Sequence, residues 1–433
     1  MFAKTFQTAT VYATSNPIVL SLRLRHKLNK QNDAKESPKL AADVVNYLNS
    51  FPEYEGLIKQ LPKSLLKKYK NPESMYLINK KTAKEIAKTI KSSLDKSPVV
   101  EVNPGLGILS EELLQVHRGP HFMYECSTHF IPHLSKLQDR YPNRVMYKNA
   151  DFFGMWKLAF QDKMDQGNRI KELLGNLYTE NNDRIVKVVG AMPGLSFIKH
   201  MITNIVFYNI SSQLGRPDLF IAMSGRLFEF LTDADVQMNK HKSTPALFQL
   251  LFDYKLLTTV PKVHFLPWTI PAVSKHVNVI DDNCLHLVNI TQKQKLPCPP
   301  EYLPLLWYFF RPHIFSKSTR VIPMLEQWIP GCGIWLITGQ DPPDTRKETS
   351  PGPEDAPLPH MTIFTEFGDL NLKQKITVFK KFISWPEFEQ CQFRVTMESN
   401  LPKSFSQVEE DDKDIIGTHI DDIEHSDTEE IIK

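Results

Sequence analysis

The chain is short of cysteine, has no long apolar run, and carries no acid near its N-terminus. Its five cysteines, Cys126, Cys284, Cys298, Cys332 and Cys391, are odd in number, and no two form a C-x-x-C pair. That argues against a disulfide scaffold and a cysteine-based zinc site and fits a reducing compartment. No metal site is expected. No apolar stretch approaches the ~20 residues needed to cross a bilayer, so a membrane is not an expected partner. The first acidic residue is Asp33, whereas Lys4, Arg23, Arg25, Lys27 and Lys30 give residues 1–30 a charge of +5. A basic, Ser/Thr-containing, acid-free N-terminus is the composition of a mitochondrial transit peptide. The apolar stretch from Pro17 to Leu24 is too short for a secretory core. An ordinary flexible N-terminus is the other reading.

What is present is globular. Apolar residues make up 41% and charged residues 23% of 433, which excludes a wholly disordered or collagenous chain and suggests two or three domains. The net charge of +3 hides an acidic end: residues 404–433 hold eleven acids and two lysines, or −9. The body between the two ends therefore carries +7, which points to an anionic partner. The tail after Ser404 is expected to be disordered. It is either a solubilising end or a segment that acts on the basic body by imitating nucleic acid.

Residues 31–38 read as a linker, and 39–70 as short helices broken at Pro52 and Pro62. A helix is expected from Tyr76 to Leu94, with Ala83, Ile86, Ala87, Ile90 and Leu94 on its apolar face. Lys80, Lys84, Lys88 and Lys91 lie on the other. From Lys59 to Lys91 ten lysines face two acids, Glu73 and Glu85. This stripe is either a solvated face or a phosphate-binding one. A regular alternation follows. Short apolar runs at Val99–Val102, Phe122–Cys126, Val145–Tyr147, Ile185–Val189 and Leu219–Met223 are separated by helix-like segments, the pattern of a parallel sheet covered on both faces. Strands near Leu257–Phe265 and Cys284–Thr291 should close it as an antiparallel hairpin. Residues 300–338 and 361–401 read as helical, with six prolines from Pro342 to Pro359 between them, a break expected to be a mobile loop at 340–360.

The chemistry gathers at the strand ends. Val99-Val100-Glu101-Val102-Asn103-Pro104-Gly105-Leu106-Gly107 runs from a strand into a turn where Gly105 and Gly107 allow close approach of a ligand before a helix. Ser110 replaces the third glycine of the dinucleotide fingerprint, so a nucleoside suits the turn better than a pyrophosphate. Glu125, 24 residues after Glu101, is placed to accept from a ribose diol. Asp151, in Asp151-Phe152-Phe153, is placed to accept from an adenine amine, with the aromatics nearby. Each acid alone could equally cap a helix. The three together have the spacing of an S-adenosylmethionine pocket. In the last third, Trp307 and Phe310 are expected in the core, and Lys317 and Arg320 in an exposed polar run.

With those segments in view, the sequence resembles the rRNA adenine N6-dimethyltransferases over roughly residues 74–340. Tyr76-Leu77-Ile78-Asn79 sits where that family has F-L-x-D. Asn103-Pro104-Gly105-Leu106-Gly107 fits an N-P-G variant of the glycine loop found among its mitochondrial transcription factors. Glu125 with Phe130-Ile131-Pro132-His133-Leu134 and Asp151-Phe152-Phe153 fit the next two motifs, and Phe265-Leu266-Pro267 with Pro271-Ala272-Val273-Ser274 fits the last more loosely. The resemblance implies an α/β fold: a Rossmann-like, seven-stranded S-adenosylmethionine-dependent methyltransferase domain over 74–296 and a smaller helical domain over 297–403. Residues 31–73 would then be linker and N-terminal helices. It also implies a cofactor set of Leu77, Asn103, Gly105, Gly107, Glu125 and Asp151 for S-adenosyl-L-methionine, used or vestigial.

The departure from the family is sharper than the match. Active members carry N-L-P-Y after the fourth strand, where Asn and a backbone carbonyl activate the target N6 and the aromatic stacks on the flipped base. Here the segment is Ala191-Met192-Pro193-Gly194, of which Pro193 alone survives. Methyl transfer is therefore expected to be weak or lost. The resemblance implies an accessory factor for mitochondrial RNA polymerase at promoter DNA, in the matrix and at the nucleoid, monomeric until it joins the initiation complex. Lys80, Lys84, Lys88, Lys317 and Arg320 are the expected nucleic-acid contacts. The alternatives are an active dimethyltransferase of mitochondrial small-subunit rRNA and a non-catalytic ribosome-binding protein.

Overall fold

A computed structural model describes residues 41–179, 185–191, 194–207, 214–232, 243–270, 283–311, 318–338 and 356–399. The expectations for the transit peptide, the acidic tail, most of the proline-rich loop and Pro271–Ser274 lie outside them. So do Met192, Pro193 and Lys317. The chain divides into two compact units between Ile58 and Lys59. In the first, the helix Ala42–Ser50 ends before Pro52, and Tyr47 packs its ring 5.0 Å from Phe51 and 5.7 Å from Tyr54.

The second unit is built on seven strands: β1 (Val99–Val102), β2 (His121–Tyr124), β3 (Val145–Lys148), β4 (Ile185–Ala191), β5 (Arg216–Ser224), β6 (Phe252–Pro261) and β7 (Cys284–Gln292). Their order is β3-β2-β1-β4-β5-β7-β6. The first five are parallel, and β7 runs antiparallel to both neighbours. The expected alternation and closing hairpin are thus present. Every residue of β1 is buried, as a central strand covered on both faces requires. Successive side chains part to opposite faces: Val100 and Val188 join one apolar cluster, Val99 and Val189 the other. The sheet reverses direction of winding between β1 and β4, and a crevice opens there at the carboxyl ends of the strands.

One helix begins later than its periodicity suggests. Tyr76 and Leu77 are extended and pair with Leu266 and Phe265. The helix α1 (Lys80–Ile90) starts after Asn79, whose side chain accepts from the Thr82 N–H at 2.9 Å. The cap and the tertiary pairing override a pattern that continues through them. Ala83, Ile86, Ala87 and Ile90 are buried as expected, while Lys80, Lys84 and Lys88 are exposed.

After β7 the described regular structure is helical: α2 (Leu303–Phe309), α3 (Val321–Trp328), a short helix over Cys332–Thr338, and α4 (Leu372–Ile383). These helices share one apolar cluster with a face of the sheet. Trp307, Tyr308, Phe309 and Phe310 all lie in the core, at 7%, 2%, 0% and 0% exposure, which removes them as base-stacking surfaces. Phe309 packs its ring within 5.3–5.6 Å of Phe379 and Phe367. Phe309→Ala should therefore cost about 3–5 kcal/mol, measurable as a fall in the urea midpoint.

Candidate functional site

The turn after β1 is built from three left-handed residues, Asn103 at φ 56°, Gly105 at 57° and Gly107 at 77°. Asparagine tolerates that region and glycine is unstrained in it. The Asn103 N–H donates to the Tyr124 carbonyl at 2.9 Å, which ties the turn to the end of β2. The neighbours of the two glycines are the protein's own side chains. A Cβ on Gly105 would lie 2.9 Å from Tyr76 Cδ1, and one on Gly107 would lie 2.5 Å from Leu137 Cδ1.

Glu125 follows β2 and is fully buried. Its Oε1 accepts from the Tyr76 hydroxyl at 3.2 Å and from the Ser127 N–H at 2.8 Å, and its Oε2 accepts from the Gly105 N–H at 3.1 Å. Burial pushes this carboxyl above its ordinary value, and the donors pull it back. Burial, then the Glu125 charge, holds the Tyr76 phenol far above its own, so it stays a donor. Cys126, next in the chain, is exposed. Its thiol is held up by partial desolvation and by the Glu125 and Asp151 carboxylates, which makes it a poor nucleophile at neutral pH.

Asp151 is exposed after β3, and its Oδ1 accepts from the Gly154 N–H at 2.9 Å, closing the turn into the helix Met155–Asp165. Its structural duty is visible; its second oxygen can still serve a ligand. Phe152 and Phe153, expected nearby, follow Asp151 in sequence and are buried. Both turn into the core, where Phe153 packs 5.0 Å from Phe197 and a Cβ on Gly190 would lie 3.1 Å from its Cζ. Leu77, Asn103 and Ala191 meet around a cavity of about 20 Å³ at the head of β1 and β4, room for about one water. The Asn103 Oδ1 and Glu101 Oε1 atoms are buried there without a hydrogen-bond partner among the described residues. Ala191 is 5% exposed and belongs to an apolar cluster with Phe220, Ala222 and Leu287. Gly194 is half-buried.

The set of acceptors suits S-adenosylmethionine: a carboxylate after β2 for a ribose, another after β3 for an adenine amine, and a buried amide oxygen, unpaired among the described residues, beside the turn. Access to the first is taken by Tyr76. Sequence reasoning passed over Tyr76 because its ring also matches the family's Phe; the added hydroxyl was the available signal.

A second concavity, of about 1120 Å³, lies at the opposite end of the sheet, where β4 and β5 begin. Among the described residues five cations line it, Arg216, Lys293, Lys295, Lys373 and Lys380, against Asp218 and Asp253. Asp218 is neutralised by Lys187 at 2.6 Å. Lys373 and Lys380 stand two turns apart on α4, ~10 Å along its axis. No sequence pattern unites these residues, since they come from three distant segments. Arg320 is exposed, with its guanidinium 5.2 Å from the Phe364 ring centre.

Residues 66–332 match the ribosomal RNA adenine dimethylase family. The chain is 32% identical over 396 residues to the mitochondrial dimethyladenosine transferase 2 of Drosophila melanogaster, covering 83% of this chain and 85% of that protein. Among solved structures, the 23S rRNA methyltransferase ErmE is similar at 13% identity and a TM-score of 0.43, over 71% of this chain and 99% of that one. A dimethyladenosine transferase from Plasmodium falciparum is similar at 11% identity and a TM-score of 0.41, over 71% and 97%.

The turn closed by Asp151 can be tested by stability alone. Asp151→Ala should cost roughly 1 kcal/mol in urea unfolding, and Asp151→Asn, which keeps an acceptor, less than half of that.

Proposed function

The chain belongs to the ribosomal RNA adenine dimethylase family, and from that premise we propose that it is a mitochondrial transcription initiation factor rather than a working dimethylase. It assists mitochondrial RNA polymerase in melting promoter DNA and steadies the opened strands. The observation that carries this reading is Ala191. It ends β4, where an active member needs a side chain that accepts from the target amine, and its methyl group is packed among Phe220, Ala222 and Leu287. The methyl of Ala191 cannot accept a hydrogen bond, and Gly194 offers no ring to stack on a flipped base.

The charge distribution supports a nucleic-acid partner. The exposed lysines of α1 and the cleft of Arg216, Lys293, Lys295, Lys373 and Lys380 form two cationic surfaces, and each neutralised phosphate releases counterions. The cleft is lined with aliphatic rather than exposed aromatic side chains, which suits backbone tracking better than base stacking. The relative from Drosophila is mitochondrial by name, and the basic N-terminus agrees. On this reading the protein acts in the matrix, at the nucleoid.

The second reading is an S-adenosylmethionine-dependent dimethylase of mitochondrial small-subunit rRNA. Its support is the pair of carboxylate acceptors: Glu125 would hold the ribose and Asp151 the adenine of the cofactor, which supplies an electrophilic methyl group. The measurement that separates the two is run-off transcription from linear promoter DNA with cognate mitochondrial RNA polymerase and an HMG-box promoter-bending factor. Transcripts are expected only when this protein is added. No stimulation by a system in which every component is active overturns the factor reading, and rapid single-turnover methylation of an rRNA hairpin establishes the second.

The cleft has its own expected outcome. The double reversal Lys373→Glu/Lys380→Glu should weaken DNA binding at low salt and lower the slope of log K against log salt by about 2. Fluorescence anisotropy across a salt series reads it.

A further inference from the structure

The Tyr76 hydroxyl donates to Glu125, the carboxylate assigned above to a ribose. A carboxylate offers about four acceptor directions, and three of those on Glu125 are filled by Tyr76, Gly105 and Ser127. A vicinal diol brings two donors and needs one on each oxygen. It cannot be served until one present donor leaves. Two of the three are backbone N–H groups, fixed by the turn after β1 and by the turn after β2. Among the described residues Tyr76 is the one side-chain donor, and hence the one that can exchange without rebuilding a turn.

The ring completes the closure. Tyr76 is 6% exposed, lies over the Gly105 turn and packs 5.1 Å from Phe130. Beneath it Glu125 has no exposed surface. The burial of this carboxylate is favourable only while its donors stay in place, since an unpaired buried charge costs several kcal/mol. Tyr76 therefore supplies internally what a cofactor ribose would supply from outside.

We propose that the cofactor cradle is self-liganded: Tyr76 is the residue that sets nucleoside affinity, and a ribose binds only by displacing its hydroxyl from Glu125. This deepens the reading of Glu125 as a ribose acceptor and is independent of the polymerase role. The family's Phe at this position has the ring without the donor, so the oxygen atom of Tyr76 is the distinguishing element. The cradle is not empty of function, because the same hydrogen bond holds the Tyr76–Asn79 segment against the turn ahead of α1.

The test is calorimetric titration of S-adenosylhomocysteine into the full chain, Tyr76→Phe and Tyr76→Phe/Glu125→Gln, each checked for folding by circular dichroism. Removing the hydroxyl should tighten binding about tenfold, and the double variant should lose that gain. Binding by Tyr76→Phe within threefold of the unmutated chain overturns the proposal. So does a gain that survives in the double variant, because it would not pass through Glu125. A second measurement needs no variant: adenosine and 2′,3′-dideoxyadenosine are compared on the unmutated chain by ligand-observed NMR. The proposal expects no discrimination, or no binding of either; a clear preference for the diol overturns it. Run-off transcription is read on the unmutated chain and nucleoside affinity by titration, so failure of the cradle proposal and failure of the initiation reading appear in different assays.

Discussion

The buried carboxylate of Glu125 is the constraint on which the site depends. A charge with no exposed surface must be met by donors, and here they come from three directions: the glycine turn, the residues after β2, and the extended segment ahead of α1. Each donor sets a local geometry. The Gly105 N–H reaches Oε2 because the turn passes through left-handed backbone at residues 103, 105 and 107. The Tyr76 hydroxyl reaches Oε1 because residues 76 and 77 pair with 266 and 265 instead of joining the helix. Satisfying one acid thus fixes the loop that would face a cofactor and the strand that covers it.

The same economy separates architecture from activity. The sheet order, the crevice at the winding reversal and the acids after β2 and β3 are retained, because they also carry structural duty. Glu125 is tied to its donors, and Asp151 closes the turn into the helix Met155–Asp165. Ala191 and Gly194 have no such duty as acceptor or stacking ring. On the proposed reading, a methyl-transfer site would need an acceptor and a ring aimed at the target base where Ala191 and Gly194 stand, while β4 is held by its neighbours β1 and β5. A scaffold can then keep its binding crevice and be used for recognition.

The C-terminal helices are part of this economy. Their aromatic residues, Trp307 to Phe310, look like stacking groups beside arginines and lysines, yet they are buried in one cluster with the sheet. The cations gather elsewhere, around the cleft at the other end of the sheet. Long-range attraction of a polyanion requires exposed charge, and stacking requires an exposed ring. The core has claimed the rings, and the surface has kept the charge.

Much of the fold was legible in the sequence. Strand–helix alternation, the closing hairpin and the glycine turn are local patterns: hydrophobic period and turn chemistry act over a few residues, so the order of neighbouring residues specifies them. The altered segment from Ala191 to Gly194 is likewise a matter of side-chain identity. Three features were decided by tertiary structure. The start of α1 at Lys80 depends on pairing with a strand nearly two hundred residues away. The fate of Phe152 and Phe153 depends on which face of the core they meet. The state of Glu125 depends on Tyr76, 49 residues earlier in the chain. A sequence states which groups can donate and accept. Burial decides which of them must find each other, because only away from water is an unmet charge too costly to leave alone.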